Sequence, residues 1–436
     1  MERLLGGTER GLWRVDQAGP LNFVAVAAYR GSLETAALRR GLAVLQARHP
    51  LLRVRIVDTP AGLCWTGADV PAIPLREEAR RDDRHWHAEL AAELNRPLPW
   101  AEGPLVRVVH LRGAAGGDLL AAFHHAVADG LSGVNFLRQL LAAAADAGPE
   151  VAGPAVLRPP LEEQLPAAAR GAAGLLRAGA MALRQVPDLL AGIRRLPVTA
   201  WAPPRSRQTG VIPLVLAAPE AAALAARCRA EGTSVHAALA AAFLQAVHAA
   251  LAPAEPWPVR GRLGVVSPVS LRARLEPPAG AAEFGFFVSA VTVLESPAEI
   301  GGAFWPLARA VKGRLAAALE RDEPALAVRL QNLALRGGGT PEQLALRAEQ
   351  LFPAAVGLTN LGRLGDTVET FGAATLEQLH FSAALNALAG SGLGVAAATY
   401  AGVLRLNVAH AEPLLPAARA RALAEDALAR LRAALA

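Results

Sequence analysis

Cysteine is nearly absent. Only Cys64 and Cys228 occur in 436 residues. They are far apart and outside any CxxC pair, which excludes a disulfide framework and a zinc ribbon and favours a reducing compartment. Lysine is rarer still: Lys312 is the only one, so the basic residues are almost all arginine. Aromatics make up 5%. The net charge is +6, but the arginines are spread along the chain without clustered base-reading residues, so no nucleic acid is expected as a partner. Met1 to Trp13 carries Glu2, Arg3, Glu9 and Arg10 and lacks the apolar run of a signal peptide. Long hydrophobic runs are missing too. Ala237 to Ala254 is mainly alanine, interrupted by Gln245 and His248, and reads as a buried helix rather than a membrane span. A cytoplasmic protein is expected. GxSxG, GxxxxGK[ST] and GxGxxG are all absent, which removes the main support for serine-hydrolase, P-loop and dinucleotide readings.

What is present suits a large fold. Hydrophobic residues are 53% of the chain, chiefly alanine and leucine, which favours many helices. The length suggests about two or three domains. Residues 1–150 alternate strand-like and helix-like segments: strands over 21–29, 51–57, 105–111 and 119–123, and helices over 33–48 and 84–95. Residues 151–206 shift in composition. Their prolines bracket a helical stretch, 165–196, in which Arg170, Arg177 and Arg184 recur beside many leucines. It reads as a crossover helix, or as a basic amphipathic element that touches a membrane surface or a lipidic substrate. Residues 207–436 restart the alternation, with helices over 219–230, 234–248, 300–321, 341–351 and 414–435 and strands between them. The pattern predicts an α/β two-layer sandwich in two similar halves, not a doubly wound sheet.

The most informative stretch is His124 to Gly130, HHAVADG. It follows the apolar run Leu119 to Phe123 and precedes a helical pattern, Val134 to Ala145. Neighbours on a strand point to opposite sides, so one ring can face a cavity while the other packs behind it. A neutral imidazole can take a proton from a hydroxyl or amine. A satisfied core histidine is the competing reading for either ring. Consecutive histidines do not converge easily on one ion, so no metal is expected.

This heptad resembles the HHxxxDG motif of the chloramphenicol acetyltransferase-like superfamily of condensation domains and acyltransferases. The likeness covers most of the chain and is greatest to the phthiocerol dimycocerosyl transferase and alcohol acyltransferase branch. LAVLQARHPLLR (42–53), RPLPWAEGPL (96–105), GTSVHAALAAAF (232–243), VSPVSLRARL (266–275), FGFFVS (284–289) and LTNLGR (358–363) are similar to further segments of that group. Phe286 stands where asparagine is commoner. The DFGWG segment of the plant BAHD branch is missing. The resemblance implies two domains of similar fold with mixed sheets and a tunnel between them. It implies that His125 is the general base, that His124 packs and orients, that Asp129 pairs with Arg272, and that Gly130 lets the chain turn into the next helix. Asn360, Thr359 and Ser267 are candidates for oxyanion or substrate contacts.

The implied activity is transfer of an acyl group from a carrier-protein or coenzyme A thioester to a hydroxyl of a small-molecule, lipid or polyketide acceptor. No bound cofactor is implied, because the thioester is a cosubstrate, and a monomer is expected. Two readings compete with ester formation: a stand-alone condensation enzyme with an amine acceptor, and a non-catalytic docking homologue.

Overall fold

The computed structural model describes residues 2–145, 156–251, 261–351, 354–390 and 392–436. The expected boundary at 150/151 and the end of the 237–254 stretch lie outside them.

The strand Gly116–His124 organises the first half. It runs antiparallel to Asn22–Gly31 on one side and to Val106–Arg112 on the other. The latter pair forms a hairpin closed by the Gly113 N–H on the Gly116 carbonyl at 2.8 Å. Both faces of the strand are covered, so its residues are apolar throughout. Leu119, Ala121 and Phe123 join the core beneath the helices Thr35–Arg48 and Gly130–Ala144. Leu120 and Ala122 pack on the other face with Trp86, Leu90 and Leu94 of the helix His85–Asn95.

The complete first sheet has the order Glu369–Phe371, Ala374–Ala383, Asn22–Gly31, Gly116–His124, Val106–Arg112, Leu75–Ala79. Its first two strands come from near the end of the chain. The second unit is therefore not the uninterrupted 207–436 segment. The pairing of Ala374–Ala383 with Asn22–Gly31 is made by tertiary contacts that no local pattern encodes. The second sheet runs Val288–Glu295, Arg262–Ser270, Val356–Gly365, Leu393–Tyr400, Val403–Glu412, Gln208–Leu216, with Ile193–Arg194 beside Arg262–Ser270. Both sheets mix parallel and antiparallel pairs. The helices Val235–Leu251, Phe304–Glu320 and Ala417–Leu435 bury the second core. Ala237 to Ala242 are at most 1% exposed, so the alanine-rich run is a core helix.

Local expectations shift in three places. The strand expected at 51–57 begins as a short turn, Pro50–Leu52, and becomes extended only at Arg55–Thr59. Pro50 has no N–H for a ladder. The helix expected over 165–196 spans Gly171–Ala191. It stops where Gly192 takes φ of 83°, a left-handed conformation that glycine adopts without a Cβ clash. The helix expected over 300–321 is split, Pro297–Ile300 and Phe304–Glu320, by Gly301 and Gly302. The helices Gly7–Asp16 and Glu323–Leu335 and the strands Gly62–Thr66 and Leu75–Ala79 had no sufficient period to be read beforehand.

Candidate active site

His124 ends the central strand and Gly130 begins the helix Gly130–Ala144. The intervening turn carries His125. Its N–H donates to the Leu21 carbonyl at 3.2 Å, one step beyond the Asn22–His124 pair of the sheet. The side chain is half-buried. Its ring lies 5.2 Å from Phe23 and meets Phe286 edge to face at 5.4 Å. Nδ1 is 3.1 Å from the Ala128 carbonyl. A carbonyl can only accept, so Nδ1 carries the proton and Nε2 is left with its lone pair. Burial pulls the His125 pKa below the ordinary histidine value, outweighing the Ala128 bond and the Asp129 charge. The ring is therefore neutral at pH 7, with the basic nitrogen fixed in identity.

His124 is fully buried. Its Nδ1 accepts from the Ala126 N–H at 3.0 Å and its Nε2 lies 3.5 Å from Asp16. Asp16 in turn accepts from the Leu21 N–H at 2.7 Å. This ring thus ties the strand end to the segment that also holds His125.

Asp129 caps the following helix by accepting from the Ser132 N–H at 2.9 Å. Arg272 grips the same carboxylate in bidentate fashion, at 2.7 and 3.0 Å. The Phe287 N–H adds a third direction at 3.0 Å. Arg272 also donates to Ser132 Oγ at 2.7 Å and lies over the Phe287 ring at 4.7 Å. Both charges are buried, at 0% and 5% exposure. This network fastens the 283–287 segment of the second half to the motif of the first, and so sets where Phe286 meets His125. Ser132 was not singled out from the sequence. As the first small polar residue after the DG pair, it was the available signal.

Gly130 is not a turn residue. It is already helical, and a Cβ there would stand 3.2 Å from the Phe381 ring and 3.5 Å from Leu361. A side chain there would crowd the Phe381 ring, so close packing favours glycine at this position. Gly133 is tighter: a Cβ would lie 2.5 Å from the Phe23 ring.

The remaining candidates lie apart from this cluster in their contacts. Asn360 Oδ1 accepts from the Gly362 N–H at 2.8 Å, a local turn bond, and among the described residues its amide N–H groups have no acceptor. Its neighbour Leu361 packs towards Gly130, so this strand does pass the motif helix. Ser267 is bonded to His236 at 2.8 Å. Among the described residues, no contact joins Asn360, Thr359 or Ser267 to His125.

A cavity of about 470 Å³ lies between the two halves. Its wall includes Arg48, His49, Leu51, Leu161, Phe284 and Phe286. His125 itself is not on that wall; Ala126 and Phe286 stand at the edge nearest to it. His49 donates from Nε2 to Gln139 at 2.7 Å and packs on Phe284. Its pKa is lowered by burial, against the Gln139 bond. The one metal-like cluster found among the described residues, Glu78, His85 and Glu89, is occupied by Arg76, which pairs with both glutamates.

Family models match three stretches: Condensation domain over residues 17–150, Wax ester synthase/diacylglycerol acyltransferase catalytic domain over 104–250, and Phthiocerol/phthiodiolone dimycocerosyl transferase C-terminus over 205–409. No curated protein matches the sequence. Solved structures share the fold over the whole chain. A trichothecene 15-O-acetyltransferase from Fusarium sporotrichioides is 12% identical, with a TM-score of 0.74 and coverage of 99% of this chain and 95% of that one. The first condensation domain of the calcium-dependent antibiotic synthetase is 18% identical, at 0.71, covering 100% and 96%. Polyketide synthase associated protein 5 from Mycobacterium tuberculosis is 18% identical, at 0.64, covering 99% and 97%. Together the matched stretches span residues 17–409, and the solved structures show that the chain has the fold of condensation domains and acyltransferases.

Proposed function

We propose that this protein is an O-acyltransferase. It takes an acyl group from a carrier-protein or coenzyme A thioester and places it on a hydroxyl of a small-molecule, lipid or polyketide acceptor. The observation that carries the reading is the His125 tautomer: the Ala128 carbonyl holds the proton on Nδ1 and leaves Nε2 free to accept one.

In the reaction, Nε2 removes the acceptor's hydroxyl proton as its oxygen attacks the thioester carbonyl. The tetrahedral oxyanion collapses, the carbon–sulfur bond breaks, and the departing thiolate receives the proton from Nε2. A thioester is already activated, so positioning and base assistance suffice without a covalent enzyme intermediate. Asn360 is our candidate for the oxyanion donor, because its Oδ1 is held by Gly362 and its amide N–H groups have no acceptor among the described residues. One of the matched models is named for a wax ester synthase, which supports a hydroxyl over an amine.

The test is incubation with acyl-CoA and acyl-carrier donors and pooled alcohols or amines, read by mass spectrometry. New esters are expected. Amides alone would make it a condensation enzyme, and no product from any pool would make it a docking homologue; either result overturns the proposal.

A further inference from the structure

The helix Gly171–Ala191 buries one face and leaves another bare. Gly174, Ala178 and Met181 are buried, and Ala178 and Met181 share a core cluster with Leu161, Leu165 and Phe287. At about 100° per residue these three lie together on one side. Leu189, Leu175, Val186, Leu190, Leu183 and Leu176 follow one another round the opposite side, in a stripe roughly 140° wide. They are 53%, 49%, 39%, 83%, 72% and 76% exposed. The stripe runs from Leu175 to Leu190, roughly 23 Å along the helix. Single exposed leucines need no explanation, but a continuous row of six does.

The charges on the helix favour one class of partner. Arg177 and Arg184 fall on the flank between the bare stripe and the buried face, in line with Arg170 just ahead of the helix; Arg170 pairs with Glu276 at 2.8 Å and Arg177 stands 4.0 Å from Asp322. Arg184 has no ion pair among the described residues. Arg329 reaches the helix from its neighbour, with its guanidinium on the Gly171 carbonyl at 3.2 Å. The only acid in the helix, Asp188, is held by Arg262 at 3.0 Å. The stripe has no hydrogen-bonding side chain. One flank carries Arg184 as a cation without a carboxylate partner among the described residues, and no uncompensated acid lies on the helix. No single helix among the described residues is long and apolar enough to cross a membrane, so contact would be along the surface.

We infer that the helix Gly171–Ala191 lies flat on an anionic lipid surface, with its leucines among the acyl chains and its arginines at the headgroups. Leu161 and Phe287, which pack with the helix, also line the cavity between the halves.

The full chain would be sedimented with vesicles of phosphatidylcholine alone and of phosphatidylcholine mixed with phosphatidylglycerol. Binding to the mixed vesicles, weakened by salt, is expected. Leu176→Glu with Leu190→Glu should reduce affinity roughly tenfold or more, with Leu183→Glu as an independent single variant. Arg184→Glu should weaken binding about fivefold, and only on the anionic vesicles. Unchanged thermal midpoints would show that the variants fold. The inference is overturned if the parent protein sediments with neither vesicle, or if folded glutamate variants bind as the parent does. It is also overturned if the protein self-associates and Leu176→Glu abolishes that, because a second copy would then cover the stripe. The readout is binding, independent of acyl transfer.

Discussion

Asp129→Ala removes the acceptor for four donors at once: two from Arg272, one from the Ser132 N–H and one from the Phe287 N–H. None can turn to water, because Asp129 is 0% exposed and Arg272 5%. Breaking a buried pair by deleting one partner costs ~3–5 kcal/mol, chiefly for the charge left behind. Loss of the helix cap is contained in the same deletion and is typically ~1 kcal/mol. Domains are stable by about 5–15 kcal/mol, so the variant should lose a large part of its margin. Urea unfolding followed by circular dichroism would read the shift in midpoint at constant slope. A double-mutant cycle with Arg272→Ala isolates the pair. The double variant should be less destabilised than the sum of the singles by roughly 2–3 kcal/mol, because neither charge is then stranded. Turnover should fall in both singles, since the network positions the 283–287 segment against His125. A fully stable Asp129→Ala protein, or a cycle that adds up without coupling, would refute the buried-pair account.

His125→Ala should lower turnover by about 10²–10⁴-fold with little change in melting temperature; near-parental turnover would remove the base assignment. The acid limb of kcat/KM should lie below pH 6.5. Burial lowers the His125 pKa, the neutral ring is the active form, and activity is therefore kept above that pKa and lost as pH falls through it. A limb at or above 6.5 would contradict the burial effect. Gly133→Ala should cost about 1–3 kcal/mol in unfolding experiments by pushing its Cβ into the buried Phe23 ring, and should reduce turnover because Phe23 packs on His125. Phe286→Ala should open the cavity edge towards His125 and lower KM for bulkier substrates; unchanged selectivity across a size series would show that Phe286 is not a barrier.

Much of this was legible in one dimension. HHAVADG announces itself because strand end, paired rings, turn and helix start follow one another within a few residues. Each step rests on local backbone rules. The Asp129–Arg272 pairing was accessible only through resemblance, since 143 residues separate the two partners. The cap on Ser132 was local but went unread, because serine after a DG pair is common in any turn.

Composition, the absence of other signatures and the alternation of strands and helices around the motif were determined by the sequence itself, as was the identity of the histidine pair. These depend on residue type and short-range geometry alone. The tertiary structure decided which sheet Ala374–Ala383 completes, what crowds Gly130 and which side of Gly171–Ala191 stays bare. Each of those is set by a group brought close from elsewhere, or by the lack of one: a strand at Asn22–Gly31, a ring at Phe381, and, among the described residues, no covering element over Leu176 and Leu190. The tautomer of His125, by contrast, is set within its own turn by the Ala128 carbonyl.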